Sequence, residues 1–119
     1  MDKLDRMFET QKLLQQRLGT FDKIKNDKDK QQFINQMLLA VFEETVETMK
    51  KSPYKNPDFV PFGWKKTQKW DVEMFKMELI DIWHFIMNLS LAVGMDSEEF
   101  FRVYVDKNTE NHVRQDNGY

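Results

Sequence analysis

Four carboxylates set into two apolar stretches are the residues whose types and spacing could do chemistry. Glu44 and Glu47 lie in MLLAVFEETVETM, Met37 to Met49, and Glu78 and Asp81 lie in MELIDIWHF, Met77 to Phe85. Residues three or four apart share one face of an α-helix, so each pair projects together. Carboxylates are almost never buried without a partner. If the two helices pack, a divalent metal is the cheapest partner for all four. Oxygen ligands select a hard ion, Mg2+ or else Mn2+, and zinc is disfavoured without Cys and with His84 as the one internal histidine. Mg2+ usually shares its coordination with substrate phosphates. A cation-and-amide face near the C-terminus would meet the remaining phosphate oxygens, and Lys107, Asn111 and Arg114 recur there at i, i+4 and i+7 with Asn108 adjacent. This is the pattern of metal-dependent phosphate chemistry.

The elements that must position these groups are helices. Leu4, Met7, Phe8, Leu14 and Leu18 predict a first helix over 2–18, stopped by Gly19, with Gln11 and Gln15 one turn apart inside it. A charged connection follows, and Asn26 or Asp27 can cap a second helix over 28–51 that ends ahead of Ser52-Pro53. On its wheel Gln32, Gln36, Glu43 and Glu47 form a polar stripe with Glu44 at the edge, opposite Leu38, Val41, Phe42, Thr45 and Met49. The stretch 53–66 holds all three prolines together with Tyr54, Phe59, Phe62 and Trp64, so it is irregular. Its rings either plug the end of the core or wall a ligand pocket. A third helix opens at Thr67 or Asp71 and runs to Val93. Only five of the seventeen residues from Met77 to Val93 are polar, which predicts burial nearly all round. Glu78, Asp81, His84 and Asn88 form a stripe within about 120° of one another. DSEE, Asp96 to Glu99, reads as a capping box opening a fourth helix.

At 119 residues the chain reads as one all-α domain over 1–119, a small helix bundle. A nearly all-apolar third helix is hard to cover at this length, so a homodimer is favoured and a tetramer is an alternative. The 18 basic and 20 acidic residues are mixed along the chain. That excludes a broad footprint for duplex DNA or an anionic membrane, and the expectation is no nucleic-acid polymer as partner, contact with nucleotides being local. The absence of Cys fits a reducing cytoplasm. The charged N-terminus carries no signal-type apolar run, and Glu78, Asp81, His84 and Asn88 interrupt the most apolar segment, which argues against a membrane span.

The residues also match a known pattern. EETVE at Glu43 to Glu47 with ELID at Glu78 to Asp81 resembles the EExxE and ExxD signature of the all-α nucleoside triphosphate pyrophosphohydrolases, the superfamily of MazG-like proteins and dimeric dUTPases. DIWHF at Asp81 to Phe85, KNTENHVRQDNGY at Lys107 to Tyr119, and MFETQ with Gln11 resemble the dimeric dUTPase branch. The resemblance implies a homodimeric enzyme cleaving dUTP to dUMP and pyrophosphate. It implies Mg2+ on Glu44, Glu47, Glu78 and Asp81, with Glu44 also orienting the attacking water. Lys107, Asn108, Asn111, Arg114 and Tyr119 would hold phosphates, and Gln11, Trp64, His84 and Phe85 would line the base pocket. Glu43 matches the wider superfamily rather than the branch, and stands behind the ligands. The chain is short for the branch, whose larger members carry extra helices, and the loop around Trp64 resembles the branch's aromatic segment only loosely.

Two other readings use the same residues. A MazG-like pyrophosphohydrolase acting on dCTP or damaged nucleotides shares the carboxylates, which do not choose a base. A non-catalytic helical dimerisation module would use both acidic stripes as interface ion pairs.

Overall fold

The computed structural model describes residues 1–119, and four α-helices account for its regular structure, with one short 3-10 turn at Phe21–Lys23. They are α1 (Lys3–Leu18), α2 (Asp27–Lys50), α3 (Val72–Ala92) and α4 (Ser97–Asp116). Short-range chemistry explains each boundary. The Asp2 carboxylate accepts from the Asp5 N–H while Asp5 accepts from the Asp2 N–H, a reciprocal box that opens α1. Gly19, at φ 68°, closes it in the left-handed conformation that glycine adopts without penalty. Asn26, Asp71 and Asp96 each accept from the backbone N–H three residues on. At α4 only this half of the anticipated capping box is present.

α2 and α3 form the central antiparallel pair. The Asp71 N–H donates to the Lys51 carbonyl where they meet, and at the far end the Asn88 amide reaches the Met37 sulfur at 3.7 Å. The residues α2 turns inward are Phe33, Met37, Val41, Glu44 and Thr48, buried or half-buried and spaced three to four apart. Of the residues opposite the polar stripe on the wheel, Val41 is half-buried, whereas Leu38, Phe42 and Met49 are 54%, 71% and 40% exposed. The polar edge of α2 faces α3 because α3 presents its own polar stripe there.

α3 is not buried all round. Only Met87, Asn88 and Ser90 are buried, whereas Met77, Ile80 and Trp83 are exposed. α1 crosses the C-terminal half of α3, where the buried Gln11 donates its amide to Asn88 Oδ1 at 2.6 Å. α4 departs after Gly94 and touches α1 through its first turns, with Phe8 and Phe100 edge-to-face at 5.4 Å and the Ser97 hydroxyl donating to the Asp5 carboxylate. Every residue from Phe101 to Tyr119 is exposed. The radius of gyration is 18.1 Å, against roughly 13.5 Å for a compact chain of this length.

The Ser97 hydroxyl and then the Asp2 backbone N–H hold the Asp5 carboxyl below its usual range. A lowered acid pKa stabilises the fold above the ordinary carboxyl value and loses that effect as pH falls through the lowered one. Ser97→Ala is therefore expected to lower Tm by a few degrees at pH 7. The gap should close below about pH 4, which thermal melts across pH measure.

The connection from Lys51 to Asp71 is irregular but held. Asn56 is buried and donates to the Lys66 and Gln68 carbonyls at 3.2 and 2.9 Å, while its Oδ1 accepts from the Asp58 N–H. Trp64 and Lys65 N–H both donate to the Lys55 carbonyl. At Gly63 a Cβ would lie 2.5 Å from the Pro57 nitrogen, so only glycine fits this approach without displacing backbone.

Candidate active site

The inner faces of α2 and α3 bring three of the four predicted metal ligands together. Ligand atoms of Glu44, Glu78 and Asp81 all lie within 4.8 Å of one another, each residue half-buried in the seam between the helices. Glu47 is not in this group. It lies one turn beyond Glu44 and accepts from Lys50 Nζ at 3.3 Å on the exposed side. Glu43 is exposed on the outer side of Glu44.

Burial is the first cause raising the Glu44 carboxyl above its ordinary range. The charges of Asp81, Glu78 and Glu43 follow, and last a hydrogen bond with Glu78. Desolvation and like charge both disfavour an ionised carboxylate. A divalent cation relieves both, and the donors are all oxygen, so the set fits a hard divalent ion.

The candidate base-binding residues divide among three places. Gln11 and His84 line one cleft of about 240 Å³, together with Arg6, Thr10 and Trp83. Phe85 lines a second, of about 480 Å³, with Gln15, Gln32, Gln36 and Asn88. The buried Gln11–Asn88 pair stands between them. Trp64 lines neither cleft. It stands on the 51–71 connection, 74% exposed.

The candidate phosphate-binding residues share one exposed face of α4. Glu110 accepts from Lys107 at 2.8 Å and from Arg114 at 2.6 Å, and the Tyr119 ring lies 5.4 Å from the Arg114 guanidinium. Asn108 and Asn111 are exposed beside them. No ion pair joins this face to the carboxylates of the seam, since α4 meets the rest of the chain only near its start.

Sequence reasoning gave Gln15, Asn88 and Arg6 no role. Gln15 and Asn88 are buried amides, and the available signal was their place on helix faces that also carry Gln11 and His84. For Arg6 the signal was its position one turn ahead of Thr10 on the same face.

A protein-family model described as dUTPase matches residues 3–101. The match ends inside α4, ahead of Lys107. Over 44 residues the chain is 52% identical to the dCTP pyrophosphatase of Enterobacteria phage T4, and 57% identical to that of Enterobacteria phage LZ5. Each match takes in 37% of this chain and 26% of the relative, so the chain spans about a quarter of the length of these curated relatives. A DNA replication protein of phage T4 is 48% identical over 33 residues, 28% of this chain and 8% of that protein. No solved structure matches.

Proposed function

The chain belongs to the dUTPase family, and from that premise we propose that it is a divalent-metal-dependent nucleoside triphosphate pyrophosphohydrolase, with dUTP as preferred substrate and Mg2+ as the ion. The observation that carries this reading is the convergence of Glu44, Glu78 and Asp81 from two helices on one point. Such an ion, when bound, draws charge from phosphate oxygens and lowers the pKa of a water.

The chain's own residues do the rest. Glu44, Glu47, Glu78 and Asp81 hold the ion, Glu47 by turning from Lys50, an exposed pair worth at most about 1 kcal/mol. Glu44 also takes up the attacking water through its second oxygen and aligns it with the scissile bond. Lys107, Asn108, Asn111, Arg114 and Tyr119 bind phosphate oxygens by charge-assisted hydrogen bonds. Gln11, His84 and Phe85 receive the base, and Asn88 fixes the Gln11 amide. Trp64 lines neither cleft of this chain.

The working form is a homodimer in which a second copy covers Leu38, Phe42, Met77 and Ile80, which this chain leaves in water. No single helix is long and apolar enough to cross a membrane.

A second reading, dCTP as substrate, draws on the names of the two phage relatives. Hydrolysis of dUTP, dCTP, dTTP and UTP with Mg2+ and with EDTA tests both. The expected result is release of pyrophosphate from dUTP at least ~10-fold faster than from the others, and none in EDTA. Preference for dCTP would establish the second reading. If Mg2+ with non-hydrolysable analogues of dUTP and of dCTP fails in both cases to raise Tm, the chain is a helical dimerisation module instead.

A further inference from the structure

The even charge balance of the whole chain conceals a segregation. Residues 50–70 carry Lys50, Lys51, Lys55, Lys65, Lys66 and Lys69 against the single Asp58, a net of +5 in a chain of formal charge −2, which leaves −7 on the remainder. The same stretch holds Tyr54, Phe59, Phe62, Trp64 and Trp70. Phe59, Phe62 and Trp64 are 65%, 94% and 74% exposed. Burying such rings is favourable, so three left in water are unusual.

They are not exposed because the loop is slack. Buried Asn56, the twin hydrogen bonds to the Lys55 carbonyl and the tight approach at Gly63 hold the backbone under them. Lys55 Nζ lies 5.2 Å from the Tyr54 ring centre and 5.8 Å from that of Trp64, linking two rings through one cation.

We propose that this connection is a binding surface for single-stranded nucleic acid, its exposed rings stacking on bases and the lysines that flank them meeting the backbone phosphates. Stacking on an aromatic ring tolerates any base and needs free faces on both partners. Unpaired bases offer such faces and a duplex does not. A membrane-inserting loop gathers its rings at a tip with cations behind, whereas here the exposed carboxylate of Asp58 stands beside Phe59 among the rings, a charge that insertion would have to desolvate. The acidic remainder counts for little beyond the screening distance, about 8 Å at physiological salt.

The test is fluorescence anisotropy of the full chain with labelled 16-nucleotide oligo-dT, oligo-U and a 16-base-pair duplex, in EDTA so that metal-dependent hydrolysis plays no part. Binding to either single strand is expected at least ten times tighter than to duplex. Contacts to four or five phosphates would weaken it roughly 50- to 100-fold between 50 and 200 mM salt. Phe62→Ser and the pair Lys65→Glu, Lys66→Glu should each cost tenfold or more, with helical circular dichroism and nucleotide hydrolysis unchanged. Glu44→Gln should bind strands normally, so failure of the hydrolysis reading leaves this result standing. The proposal is overturned if no strand binds, if duplex binds as well, if equimolar tripolyphosphate displaces the strand, or if vesicles of phosphatidylserine bind the loop while oligonucleotides do not.

Discussion

Glu44→Gln is expected to lower kcat at saturating Mg2+ by about 10³-fold or more, with the helical circular dichroism spectrum unchanged. The side chain keeps its shape but loses a charged ligand and the oxygen that would align water. In EDTA the same substitution should raise Tm by roughly 2–4 °C. Burial and the charges of Asp81, Glu78 and Glu43 all act against an ionised Glu44, and a neutral amide escapes them. Loss of turnover with gain of metal-free stability is the signature of a site built against the fold's own preference. Asp81→Asn should share the first effect. Near wild-type hydrolysis in either variant would remove the seam from the mechanism.

Arg114→Ala is expected to cost about 10- to 100-fold in kcat/KM, the loss of a charge-assisted contact to phosphate worth roughly 1.5–3 kcal/mol. The Mg2+ concentration giving half-maximal rate should not move, because Arg114 makes no ion pair with the seam. Arg114→Lys should recover little, since an ammonium cannot reproduce a planar bidentate donor. A shifted Mg2+ requirement with unchanged KM would mean that the α4 face serves the metal site and not the phosphates.

Helix boundaries were legible because their determinants are local. Asn26, Asp71 and Asp96 cap the residues just ahead of them, and Gly19 ends α1 through its own φ. The carboxylate seam was legible for a related reason, since the spacing of Glu44, Glu78 and Asp81 fixes which helix face each occupies. So was the orientation of α2, because the polar stripe of α3 needs a counterpart and Glu44 supplies it. The exposure of α2's apolar side was not, since Leu38, Phe42 and Met49 look outward and nothing in their own spacing says whether another element reaches them. The place of α4 was illegible too, because its tethers, Ser97 to Asp5 and Phe100 to Phe8, join residues about ninety apart. Separation of Trp64 from Gln11 and His84 has the same origin. Prolines mark the loop as irregular, but its path is set by Asn56 reaching Lys66 and Gln68.

The division of labour within that loop bears on how the protein can diversify. Asn56 and Gly63 have no latitude, one because its amide satisfies two carbonyls and the other because a methyl group would strike backbone. Phe59 and Phe62 bear on neither constraint and stand in water. Lineages descended from this chain are free to rewrite the loop's outward face while its frame stays put, so a new binding preference can arise there without a detour through unfolded intermediates.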